Sequence, residues 1–370
     1  MGTSQLAAAT IDTNQMLALY RRTGADLPFT DPRGYHGVAM EGYFWRITHV
    51  ASGTVLIVLA GVNRDRDGGT WGTVGLAGHP GGFSRSAAVA HASGERRGIG
   101  VWAGEDGHTS VRADCSSLHV DLGADARLDA RFDEPVHWPH GAFGGIGPAQ
   151  AIPALSQYWH PHLLGGHVSG TANIGGREID LDGATIYGEK NWGRGGFPPA
   201  WWWGQAHGFE REDVCVAFAG GRAGLGRAQV LSTSLVVRVG DEVIRAVRPM
   251  HPMRVEVGSR GWSFSARTAR HTIELEGRAN GTPAHALPIP IAAERRNLEG
   301  AAAQYLASEV RLVVRRGRRT LFSGESALAG LERGRSAVAP PRAVYRGRHE
   351  AQADAGAWRR DHAGRSGRAA

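Results

Sequence analysis

From Glu41 onward the chain is a succession of short apolar runs separated by Gly, Asp and Asn. The runs are Tyr43–His49, Thr54–Val62, Gly98–Ala103, Ser110–Leu122, Val168–Ile174, Trp201–Phe209, Asp213–Ala219, Gln229–Val239, Trp262–Ala266, His271–Leu275 and Glu309–Val314. They are rich in Val, Ile, Thr and aromatic residues, which is strand chemistry with turn punctuation. Arg315–Arg318 reads as the connection of a hairpin from Glu309–Val314 to Thr320–Phe322. Only Ser4–Thr23, rich in Ala and Leu, predicts a short helix, with a further single turn expected at Ala301–Leu306. About sixteen strands are expected in all, enough for two antiparallel barrels or sandwiches of roughly eight strands each. The Pro- and Gly-rich segment Pro135–Pro153 is the expected linker. This all-β reading gives domains over 24–150 and 151–333, followed by a tail over 334–370.

Composition refines the picture in three places. The 54 glycines are scattered without period, as turns and bulges require. The formal net charge of +7 lies mostly at the end of the chain, because residues 333–370 carry nine Arg against Glu350, Asp354 and Asp361. The body is therefore close to neutral, which argues against nucleic acid as a partner and for a disordered basic tail. Cys115 and Cys215 fit neither a disulfide framework nor a zinc motif. His137, His140, His160, His162 and His167 cluster, but Pro161 interrupts the strand that would align two imidazoles, and no metal site is expected. Met1–Thr13 has no charged-then-apolar pattern, and the longest apolar run, Val55–Val62, is too short to span a bilayer. A cytoplasmic protein is expected, with peripheral membrane contact as its route to an apolar ligand.

One stretch is more specific than the rest. Tyr187-Gly188-Glu189-Lys190-Asn191-Trp192-Gly193 runs into Gly195-Gly196-Phe197-Pro198 and then Trp201-Trp202-Trp203. Upstream stand Glu41-Gly42-Tyr43-Phe44-Trp45-Arg46 and Pro80–Ser84, and downstream Ala327–Glu332. Together these pieces resemble the tocopherol cyclase family. The resemblance implies two lipocalin-like barrels related to the carotenoid hydratase fold. It also implies closure of a chromanol ring on a prenylated quinol without a redox cofactor. Arg194 and the triple Trp depart from the family pattern and bear on the substrate. Lys190 is the only lysine among 42 Lys and Arg residues, so its position favours a compact ammonium.

Strand alternation sorts the side chains. Trp201, Trp203, Gln205 and His207 share one face, and Glu41, Tyr43 and Trp45 share another of similar mixture; both read as pocket walls, with His160 nearby. Glu189 and Asn191 share a face opposite Lys190 and Trp192. Ring closure begins with protonation of an alkene, which needs a carboxylic acid kept neutral by burial, aromatic faces for the cation, and exclusion of water. Glu189 and Glu41 are the candidate acids, and Trp192, Trp201 and Trp203 the cation-stabilising residues. Asn191 or His207 would orient the phenol, and Lys190 completes the catalytic block. The same residues admit other readings: a purely structural motif, a lipocalin-like carrier that leaves its ligand unchanged, or a hydratase or pericyclase on the same fold.

Overall fold

The computed structural model describes residues 12–27, 34–65, 67–141, 143–194, 197–225, 228–280, 284–288 and 300–335. The tail over 336–370 and the start of the expected N-terminal helix lie outside them. The described part of that helix spans Thr13–Arg21 and buries none of its residues. It is N-capped by Asp12, whose side chain accepts from Asn14 N.

The rest is built on two large antiparallel sheets. The first has 13 strands. Its order runs Phe83–Val89, Thr70–His79, Thr54–Arg64, Met40–His49, Ala184–Gly193, His167–Ile174, Ala126–Asp133, Ser117–Asp121, His108–Ala113, Val101–Glu105, His91–Gly94. Tyr158–Leu163 also pairs with Ala184–Gly193. The second sheet has 10 strands, among which Ala200–Ala206, Arg319–Arg335 and Gly300–Arg316 are consecutive neighbours.

Each sheet wraps its own core. Trp45, Ile47, Leu56, Val58 and Leu128 belong to the first, and Phe218, Leu235, Trp262, Phe264 and Leu312 to the second. Alternation explains how one strand serves two cores. In Thr54–Arg64, Leu56 and Val58 turn into the first core, whereas Val55 and Ile57 pack with Trp201, Ala302 and Leu306 of the second sheet. Strands buried on both faces read as continuous apolar runs, as Thr54–Val62 does. Arg46 fastens the two sheets. It is fully buried, donates to Gln205 Oε1 at 2.9 Å and Leu306 O at 2.8 Å, and also donates to Leu328 O. Burial pushes its guanidinium down to about 9.

Several expectations differ from the structure. The expected boundary at residue 150 is not the division between sheets, because strands up to Gly193 belong to the first sheet and the chain crosses over between Gly193 and Ala200. The motif containing Glu189 is thus in the first sheet. The Pro135–Pro153 segment holds a 3-10 turn, Gly147–Ala151, and lies within one compact unit. Ala301–Leu306 is part of the strand Gly300–Arg316, so pairing with two neighbours overrides its alanine-rich helical propensity. The run Ser110–Leu122 is two strands, because Asp114 turns the chain by accepting from the backbone N–H groups of Ser116 and Ser117.

Candidate active site

The strand Ala184–Gly193 is central because it pairs with Met40–His49 on one side and Tyr158–Leu163 on the other. Glu, Lys, Asn and Gly are poor strand formers, and here tertiary pairing decides the backbone. The alternation holds: Glu189 and Asn191 face a cavity between the two sheets, while Lys190 and Trp192 face away from it.

That cavity measures about 390 Å³ and its wall is mainly apolar. Phe44, Leu59, Phe197 and Leu287 line it together with Tyr43 and all three of Trp201, Trp202 and Trp203. Glu189 interrupts the apolar wall. Its Oε2 accepts from Tyr187 Oη at 2.6 Å, Trp203 Nε1 at 2.7 Å and Trp159 Nε1 at 2.9 Å. Burial pushes its carboxyl above the ordinary range, against the opposing pull of those three donors. Three donors on one oxygen leave the proton to Oε1, and they also stabilise the charge that appears on proton loss.

A second carboxyl lines the same cavity. Glu332 accepts from Trp201 Nε1 at 2.6 Å, and burial, together with the charge of Glu189, pushes it up to about 7. Its cross-strand neighbours are Trp203 and Gln304. Gln304 is fully buried, and neither atom of its amide has a hydrogen-bond partner among the described residues. Gly334 provides the space in which the Trp201 indole lies, since a Cβ there would overlap the ring. Gly334→Ala is therefore expected to displace Trp201, shift tryptophan emission and lower turnover more than it lowers the thermal midpoint. Unchanged emission and turnover would contradict this packing.

The other expected site residues lie elsewhere. Glu41 is fully buried against Lys190, with Nζ to Oε2 at 2.7 Å, and accepts from the backbone N–H groups of His36 and Gly37. Burial alone would raise its carboxyl, but Lys190 and His36 bring it down to about 2, which favours the ionised form and makes Glu41 a poorer candidate acid than Glu189. Lys190 also donates to Gly34 O at 2.7 Å and His36 Nδ1 at 3.0 Å. Trp192 is stacked between His36 and Tyr158 and donates to Gly24 O, so it ties the N-terminal segment to this strand, and it does not line the cavity. Trp45 is in the first core. Gln205 is occupied by Arg46 and His207, and His207 is buried beside Leu164 O with its imidazole pushed down to about 3 by burial. His160 is buried edge-on to Trp138. None of these last four lines the cavity. Glu189, Asn191, Tyr43, Trp201 and Trp203 do. Trp159, Trp202, Gln304 and Glu332 join them without having been expected, and Tyr187 stands behind Glu189 as a donor; of these five, Tyr187, Trp202 and Glu332 stood in recognised motifs.

Fold and site define an all-β protein that encloses an apolar cavity between two sheets, with a carboxyl on each wall. Residues 145–335 match the tocopherol cyclase-like family, and the chain belongs to it. A probable chloroplastic tocopherol cyclase of Oryza sativa subsp. japonica is 27% identical over 145 residues, 38% of this chain and 30% of that protein. The chloroplastic tocopherol cyclase of Zea mays is 28% identical over 131 residues, 34% of this chain and 27% of that one. The similarity thus covers less than a third of either relative. Among solved structures, CghA with Sch210972 superposes with a TM-score of 0.55 at 12% identity, over 81% of this chain and 89% of that one. CghA alone gives 0.53 at 12% identity, over 82% and 90%. At that identity the likeness is one of fold.

Proposed function

We propose that the protein cyclises a prenylated quinol or a similar isoprenoid-like phenol, with Glu189 as the acid that protonates the alkene. The observation that carries this reading is a single one: a buried carboxyl on an apolar wall, its Oε2 held by three donors. Burial favours the protonated form of such an acid, and its conjugate base finds its hydrogen bonds already in place. The tertiary cation formed on the prenyl chain would be steadied by the faces of Trp201, Trp202 and Trp203. The apolar wall keeps out the bulk water that would otherwise capture it. Family membership supports the class of chemistry.

The test is incubation of the purified protein with a geranylated methylhydroquinone in detergent micelles. An isomer of unchanged mass that has lost one phenolic hydroxyl supports the cyclase. Tight binding with the quinol recovered intact supports a carrier and overturns the reading. A second reading, hydration, is favoured by the amides of Gln304 and Gln157, which have no partners among the described residues and line the cavity. A product heavier by one water would identify it.

An apolar substrate must reach the cavity from a lipid phase. Ile152 and Val230 line the cavity and are 40% and 45% exposed, so they form its rim. Leu231 and Met250, also exposed, stand beside Val230 and Pro249. This continuity of apolar surface supports contact with a lipid surface at the mouth. Leu231→Ser with Met250→Ser is expected to slow turnover of quinol supplied in vesicles and not of quinol in micelles. Equal rates from vesicles for variant and wild type would remove the lipid contact from the scheme.

A further inference from the structure

Ring closure moves two protons. One goes to the alkene, and the attacking hydroxyl must lose another. Glu189 and Glu332 come from different sheets and line the same cavity, so a ligand bound there meets two carboxyls. We propose that Glu332 is a second catalytic group, the base that takes the proton of the attacking hydroxyl, and that Gln304 holds that oxygen. The proposal rests on the cyclisation reading above.

Three observations carry it. Gln304 and Glu332 are directly opposed on neighbouring strands, so their side chains leave the sheet on one face, and both line the cavity. The Gln304 amide has no partner among the described residues, so its N–H is open to an oxygen of the ligand. Trp201 and Trp203 lie two residues apart on one strand and donate to Glu332 and Glu189 respectively, which sets both carboxyls from a single rigid element. No such anchoring is required of a carboxyl that only fills space.

The protons balance. Glu189 gives its proton to one alkene carbon, the π bond breaks, and the adjacent carbon becomes the cation. The hydroxyl oxygen, held by Gln304, forms the C–O bond to that carbon, and its O–H proton passes to the Glu332 carboxylate. The product is an isomer of the substrate. The site is left with Glu189 ionised and Glu332 protonated, and transfer of one proton from Glu332 to Glu189 restores it. Burial raises both carboxyls, Glu332 to about 7, so the two share protons as a coupled pair, and the reactive form is the one with the proton on Glu189 and the charge on Glu332.

The test compares wild type, Glu332→Gln, Glu332→Asp and Gln304→Leu on the geranylated methylhydroquinone in micelles across pH. A base works when ionised, so the wild-type rate should rise with pH through about 7. Glu332→Gln should lower kcat about 100-fold and abolish the rising limb, with Glu332→Asp restoring part of both. Gln304→Leu should raise KM and slow closure without moving the limb. Infrared difference spectra between pH 5 and pH 9 give a readout free of substrate: wild type should lose a protonated-carboxyl band that Glu332→Gln lacks from the start. Wild-type cyclisation that persists in Glu332→Gln with its rising limb intact overturns the proposal alone, as does an unaltered infrared band. Failure of the wild type to cyclise the quinol overturns the reading beneath it.

Discussion

Glu189→Gln is expected to lower the cyclisation rate by about 100- to 10,000-fold, the range typical for loss of a positioned proton donor. The substitution keeps the size of the side chain, and the glutamine oxygen still accepts from Tyr187, Trp203 and Trp159. What it removes is the proton on the oxygen that those donors leave free. Packing around the site should therefore survive, and the variant should bind the quinol about as well as wild type. Stopped turnover with retained binding, read by product formation and by quenching of tryptophan emission, separates loss of chemistry from loss of fold. Turnover within a few-fold of wild type would exclude Glu189 as the acid.

Lys190→Met should destabilise the protein by about 3–5 kcal/mol, because it leaves Glu41 buried as an unpaired carboxylate. Both side chains are wholly buried, so solvent cannot take over for the missing ammonium. The double variant Lys190→Met/Glu41→Gln should recover part of the loss, since no charge then remains stranded. The pH dependence has a definite sign. Glu41 is held at about 2 in the folded state against 4.5 ordinarily, so its stabilisation is complete above about 4.5 and disappears as pH falls through 2. The shift corresponds to roughly 3 kcal/mol at neutral pH. Urea unfolding at pH 7 and pH 3 should show wild type losing about half of this contribution and Lys190→Met changing much less between the two. Lys190→Arg should also destabilise, because the site around Nζ is closed by Gly34 O, His36 and Glu41, and a guanidinium is larger. Packing and charge at this site thus account for the single lysine in an arginine-dominated chain.

The all-β class was legible because strand chemistry and turn residues recur through the body. The partition between sheets was not, because pairing of Met40–His49 with Ala184–Gly193 joins residues about 150 apart in sequence, and nothing local specifies it. Site legibility divides in the same way. The Tyr187–Gly193 block and its alternation placed Glu189 and Asn191 together and Lys190 opposite, as the structure has them. Which face meets the cavity could not be read, since both faces of the strand are buried and alternation distinguishes faces without naming them. Glu41 shows the consequence: a buried Glu in a recognised motif proved to be a salt-bridged carboxylate. Gln304 had no local signal at all, and Glu332, though it ends a recognised motif, gained meaning only from the register of three strands.

The most direct measurement is cyclisation of the geranylated methylhydroquinone in D2O, with the product analysed by mass spectrometry and NMR. Proton transfer from Glu189 to the alkene should place one deuterium on the ring carbon next to the new C–O bond, and Glu189→Gln should form almost none of that product. A cyclised product with no carbon-bound deuterium would contradict alkene protonation, and recovery of the quinol unchanged would show that the cavity holds its ligand without transforming it.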